Sequence, residues 1–289
     1  MTPADFRNIV ETTATRVGFD LARLILGGDH LGPNPWKHLP AEHARTMIDA
    51  YAKSGFTKLG LDASMRCAGE SATLRDEVAA ERSARLVEVA EAADGRNQAP
   101  VYVIGTEVPF PGGAQHARDS PMVTRPDSVL RTVDAHRQAF KALGLENAFE
   151  RVIGVVVQPG VEFASAEVVA YQPEKARNLV ASIADMPGFV FEAHSTDYLP
   201  AAALNAPVRD GFAILKVGPW LTFALCEALY GLDAIAQVLN PFPSEESVPA
   251  TMEALMLREP KNWRRYYDGS ADELRFRRHF SFSDRIRYC

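Results

Sequence analysis

The chain has 289 residues, 47% hydrophobic and 24% charged, and a formal net charge of −6 at pH 7. This is globular composition with an acidic balance, which argues against a nucleic-acid partner or a membrane surface, since both select basic chains. The three cysteines, Cys67, Cys226 and Cys289, form no C-x-x-C pair, so neither a disulfide framework nor a cysteine zinc site is expected and the chain reads as cytoplasmic.

The N-terminus "MTPADFRNIV" carries no signal pattern. Thr2, Pro3 and Asp5 instead read as a helix start, with an N-cap hydroxyl, a proline at the first helical position and an acid at the third. Strand-length apolar runs then recur at 23–28, 57–62, 101–107, 151–158, 189–194 and 212–218. They are nearly continuous in hydrophobicity, as suits parallel strands covered on both faces. Helical patterns lie between them at about 41–55, 74–93, 127–143, 173–185 and 220–238. No uninterrupted apolar run approaches about 18 residues, so no membrane span is expected.

Strand and helix alternating along the chain is the pattern of right-handed βαβ units. No strand is followed by G-x-G-x-x-G, which removes support for a dinucleotide fold. Nearly every strand ends in polar residues: "GGDH", "LDAS", "GTEVP", "VQPGVE", "EAHSTD" and "KVGP". Chemistry gathers at such ends in barrels. The expectation is therefore an α/β (β/α)8 barrel over 1–240 with about six of its eight strands, lacking its first βα unit and second strand. A C-terminal helical extension, itself incomplete, would follow over 241–289.

Three residues at different strand ends, His30, Glu107 and His194, form a ligand set suited to a catalytic divalent ion such as zinc. They are equally consistent with polar strand ends satisfied by loop backbone. Asp29 and Asp62 are candidates for general acid/base work or for capping a turn. Glu192 shares strand parity with His194 and is an alternative ligand or its partner. Ser195, Thr196 and Gly218, with Lys216 as a point charge, could hold a phosphate at the loops after the last two strands. A Schiff-base role for Lys216 is the weaker alternative, for nothing nearby in sequence depresses its pKa. The Gly/Pro turn at 109–115 reads as a plain loop or a flap over a ligand. His38, His43, His116, His136 and His279 read as structural or solvated.

The blocks "LGGDHLGPN", "LDASMRCAGE", "YVIGTEVPFPGG", "VVVQPGVEF", "EAHSTDY", "FAILKVGPWLTFAL" and "SDRIRY" resemble, in order, the GatZ/KbaZ family, the non-catalytic subunits of class II D-tagatose-1,6-bisphosphate aldolase. Members of that family begin earlier and continue further, so this chain resembles their middle. The resemblance implies a barrel related to class II aldolases, in which histidine-held zinc polarises the substrate ketone and an Asp beside a ligating His moves the proton. Asp29–His30 resembles that pair, and His194 and Glu107 resemble further ligand positions. The implied function is an accessory subunit supporting a catalytic partner in galactitol or N-acetylgalactosamine catabolism. The alternative is a metal-dependent 4-epimerase or aldolase acting on ketohexoses or their phosphates, and a homo-oligomer is compatible with either. A kinase activity, sometimes attached to this family, has no support, because no G-x-x-x-x-G-K-[ST] loop occurs.

Overall fold

A computed structural model describes residues 1–33, 35, 43–65, 67, 74–93, 98–105, 121–240 and 243–289. Helix α1 (Pro3–Arg16) opens the chain on a capping box: Asp5 N–H donates to Thr2 Oγ1 and Thr2 N–H to Asp5 Oδ2. Then follow β1 (Gly27–Leu31), α2 (Ala44–Lys53), β2 (Lys58–Leu61), α3 (Asp76–Ala92), β3 (Val101–Ile104), α4 (Pro126–Ala142), α5 (Glu146–Phe149) and β4 (Val152–Val157). A small hairpin, β5 (Glu162–Phe163) and β6 (Val168–Val169), precedes α6 (Pro173–Ser182), β7 (Val190–Ala193), α7 (Ala201–Arg209), β8 (Phe212–Leu215) and α8 (Trp220–Leu239). Helices α9 (Val248–Arg258) and α10 (Ala271–Phe280) close the order.

Six strands form one wholly parallel sheet in the order β1-β2-β3-β4-β7-β8. Their side chains alternate with the period-two rule of a strand. Leu59, Leu61, Tyr102, Ile104, Val155, Val157, Phe191 and Phe212 pack outward with Ile48, Val87, Val133, Phe140 and Leu179 from the helices. The opposite face curls inward and carries Lys58, Glu192 and His194. This is a curled half-barrel of six parallel strands with helices outside it, a partial barrel of the expected class.

Several boundaries move. The run at 23–28 is not the first strand: Leu21–Arg23 is a turn of 3-10 helix, and the ladder starts at Gly27 opposite Lys58. Gly28 is needed there, since a Cβ would meet the Tyr51 ring at 2.6 Å. Helix α7 carries no sequence expectation, with Pro200 at its N-cap and Pro207 inside it.

The sequence holds no unbroken apolar run of membrane-spanning length, but one helix, α8, passes a coarser test of length and composition. Its 20 residues, mean hydropathy 1.3, are long and apolar enough by length and composition. Glu227 and Asp233 interrupt the run, and a count of unbroken apolar residues misses it. Leu221, Leu225, Leu232 and Val238 are exposed. The other side of the helix meets the C-terminal elements: Asp233 accepts the Val248 N–H at α9, and Tyr230 hydrogen-bonds His279 of α10. Met256, Trp263, Tyr267 and Ile286 make a separate small core there. The final segment returns to the barrel, where Phe282 N–H donates to Ser165 O and Tyr198 O–H to Phe282 O.

Candidate active site at the barrel mouth

Asp29 and His30 lie inside β1, in a bulge where its register against β2 shifts between Gly28 and Leu31. His30 has φ +52°, a left-handed conformation that costs a non-glycine residue and persists only where the surroundings impose it. Bulges of this kind re-aim side chains. Two glycines admit the result. A Cβ at Gly60 would sit 2.3 Å from Asp29 Oδ1, and one at Gly32 would collide with the Asp62 carbonyl.

Asp62, His194 and Lys216 each stand one residue past the last residue of β2, β7 and β8. The curl of the sheet brings them to the β1 bulge. His30 Nδ1 lies 2.9 Å from Asp62 Oδ2, and Lys216 Nζ lies 3.0 Å from His30 Nε2. Lys216 also approaches Asp29 Oδ1 at 3.5 Å. Lys58, the first residue of β2, reaches across the interior: its Nζ is 2.7 Å from Glu192 Oε2 and 3.4 Å from Asp29 Oδ1. Glu192 Oε1 in turn is 3.1 Å from His194 Nε2. The His30 and His194 rings meet edge-on, centroids 5.6 Å apart. Seven side chains from four strands thus make one continuous polar network.

Burial pushes the Glu192 carboxyl up, but the His194 hydrogen bond and the Lys58 ammonium more than reverse it and hold it at about 2. Burial holds His194 at about 4 despite the pull of Glu192. His194 is therefore neutral at pH 7, donates Nε2–H to the Glu192 carboxylate, and keeps the Nδ1 lone pair. Burial also pushes Lys216 down, against the pull of Asp29 and Glu192. The depressing influence not visible near Lys216 in sequence is burial in the fold.

The expected phosphate loop is occupied by its own bonds. Thr196 Oγ1 donates to the Lys216 carbonyl at 2.7 Å, and the Thr196 N–H points to the same oxygen. Gly218 N–H donates to Asp197 Oδ1 at 2.8 Å, as does Trp220 N–H at 3.0 Å, so Asp197 covers the start of α8. Ser195, at φ +57°, hydrogen-bonds the Glu162 carboxyl, whose pKa burial raises.

Glu107, the third expected metal ligand, lies outside the described residues, as do His38, His116 and the 109–115 turn. Among the described residues, no three His, Cys, Asp or Glu side chains are arranged to hold a metal ion. The donor types fit one, with two imidazoles at one mouth and His194 Nδ1 unused by Glu192, but the lone pair of His30 Nε2 faces an ammonium.

A family model described as D-tagatose-1,6-bisphosphate aldolase subunit GatZ/KbaZ-like matches residues 1–289. The chain belongs to the GatZ/KbaZ-like family. It is 51% identical to a D-tagatose 6-phosphate 4-epimerase of Agrobacterium fabrum, over 100% of this chain and 69% of that one. It is 49% identical to the D-tagatose-1,6-bisphosphate aldolase subunit GatZ of Klebsiella pneumoniae, over the same shares. A solved structure, described as a probable tagatose 6 phosphate kinase from Sinorhizobium meliloti 1021, superposes with TM-score 0.88 at 53% identity, over 100% of this chain and 71% of that one.

In this GatZ/KbaZ-like chain the mouth gathers Asp29, His30, Asp62, Glu192, His194 and Lys216, while Ser195, Thr196 and Gly218 turn to local bonds. His136 sits between α3 and α4, and His279 pairs with Tyr230 and Glu253. Sequence reasoning missed Lys58 and Asp197. Lys58 had a signal: it stands two and four residues before Gly60 and Asp62, on the inward parity of β2. Asp197 had only its place in "HSTD".

Proposed function

We propose that the chain is the accessory subunit of a class II D-tagatose-1,6-bisphosphate aldolase, working in the cytoplasm in galactitol or N-acetylgalactosamine catabolism. It would raise the activity and stability of a separate catalytic subunit. The family match over all 289 residues carries this reading, and relatives named as GatZ subunits at 48–49% identity support it.

A second reading, a ketohexose-phosphate 4-epimerase or aldolase in its own right, is favoured by the seven-residue network and by the relative named as a 4-epimerase. A purely supporting subunit gains nothing from two buried charges at its barrel mouth. In retro-aldol chemistry a base takes the proton from O4, the C3–C4 bond breaks, and its electron pair passes toward the C2 carbonyl. The fragments are an enediolate and an aldehyde; re-addition to the other aldehyde face returns the proton and inverts C4. Asp29 suits the base. The Lys58 and Lys216 ammonium groups beside it suit the negative charge that develops. A divalent ion such as zinc, held by His30 and His194 with Glu107, would polarise the carbonyl oxygen.

One assay separates the readings. The purified chain is given tagatose 1,6-bisphosphate and tagatose 6-phosphate, with zinc or with chelator, with and without a class II catalytic subunit. Silence alone, with a several-fold gain or longer lifetime of the partner, supports the accessory role. Turnover by the chain alone that chelator abolishes establishes the enzyme. Neither effect sinks both.

A further inference from the structure

Both ring nitrogens of His30 are engaged. Asp62 takes Nδ1 and Lys216 Nζ meets Nε2. An ammonium only donates, so Nε2 is the acceptor, and the pair of electrons it offers Lys216 is the one a metal ion would take. The same Nζ is 3.5 Å from Asp29 Oδ1, and the His194 ring stands edge-on to His30. The Lys216 ammonium thus sits between the His30 imidazole and the Asp29 carboxylate. Its backbone is fixed, because its N–H bonds to Ala193 O and its carbonyl accepts from Thr196. Its four-carbon stem has the reach and rotamer freedom to swing away.

We infer that Lys216 is a built-in counter-cation that competes with a divalent metal ion for His30 Nε2. Metal entry requires its ammonium to leave the His30–Asp29 pair, because like charges at hydrogen-bond distance repel strongly in a partly buried site. Without the ion, Lys216 offsets Asp29 and completes the hydrogen bonding of His30, so the mouth stays ordered when empty. The inference rests on the reading that this mouth takes a divalent ion.

The test is zinc titration by calorimetry into the chelator-stripped 289-residue chain and its Lys216→Met and Lys216→Gln variants, with His30→Ala as a control. The expected result is about tenfold or tighter zinc binding in both Lys216 variants, lost in His30→Ala. Equal or weaker binding in the Lys216 variants, with the natural chain still binding at His30, overturns the competition and leaves the metal reading standing. No zinc uptake by any form overturns both. If the Lys216 variants do not fold, a crystal structure of the zinc-loaded natural chain decides. Lys216 Nζ beyond hydrogen-bond distance of His30 supports the inference, and Lys216 still on Nε2 with zinc bound elsewhere refutes it.

Discussion

Lys216 and His30, 186 residues apart in sequence, come within 3.0 Å across the open side of the half-barrel. One follows β8 and the other lies in β1, the two ends of the sheet. Backbone pairing does not join these ends; side chains do. Lys58 to Glu192 is a second chord, from β2 to β7. The chemistry proposed for the mouth and the curl of the sheet therefore depend on the same few contacts, so a substitution must be judged for stability and for activity separately.

Asp29→Asn separates the two proposed functions. If the mouth is catalytic, turnover of tagatose 6-phosphate falls by about 10²- to 10⁴-fold, the usual contribution of a positioned acid or base. The carboxylate is 39% exposed, so the melting temperature should hardly move. Support of a catalytic partner should survive in full. A variant that keeps its turnover removes Asp29 from the role of base.

Gly60→Ala tests the same carboxylate without touching it. The new Cβ would lie 2.3 Å from Asp29 Oδ1, so Asp29 must turn away from Lys58 and Lys216. A displacement of about 1 Å from working geometry can cost about 10²-fold in rate. The expected outcome is a folded protein with strongly reduced turnover, read from melting curves and kinetics on one preparation. Unchanged kinetics would mean Asp29 works from a different position.

The parallel αβ order, the helix start at Thr2 and most of the mouth were legible because they rest on local signals: apolar run length, capping chemistry and polar strand ends. What was not legible depends on the fold. The parity of Lys58 with Gly60 and Asp62 marks it as inward-facing, but only the curvature of the sheet aims it at Glu192, 134 residues away. The phosphate-loop expectation for Gly218 and Thr196 was chemically reasonable. Competing acceptors, the Asp197 carboxylate and the Lys216 carbonyl, become neighbours only after folding. The bulge that turns His30 is likewise a product of pairing β1 against β2.

The Lys58–Glu192 pair should show the asymmetry of buried ion pairs. Glu192 is 1% and Lys58 14% exposed at the side chain. Removing either partner alone, as Lys58→Met or Glu192→Met, breaks the 2.7 Å pair and leaves Glu192 only its His194 bond or Lys58 only its longer contact with Asp29, and should cost about 3–5 kcal/mol, the larger loss for Lys58→Met. The double change Lys58→Met with Glu192→Met should cost clearly less than the sum. Urea unfolding of the four proteins measures this coupling. Strict additivity would mean that the two charges stabilise the fold independently.

His136 gives the fold a pH dependence that adds to that of His194 in the mouth, since burial lowers both imidazoles to about 4. It is wholly buried on α4, with Nδ1 2.8 Å from the Thr132 carbonyl and Nε2 3.3 Å from Ser83 Oγ of α3. The carbonyl only accepts, so Nδ1 carries the proton, Nε2 accepts from the serine, and the neutral ring is fully bonded. Burial lowers its pKa from 6.5 to about 4. Between these values the unfolded chain binds a proton that the folded chain refuses, so stability falls as pH drops from about 6.5 to about 4 and this contribution then levels off. The span corresponds to about 3 kcal/mol. Glu192 acts lower: its folded pKa of about 2 against a usual 4.5 gives stability that is full above 4.5 and lost toward pH 2. Replacing His136 with Gln should therefore make the fall in unfolding free energy between pH 6.5 and 4 shallower, leaving the share due to His194 over the same window and the loss below 4 due to Glu192. Urea titrations at half-unit intervals resolve the two windows, and an unchanged slope in the upper one would show that His136 is not its source.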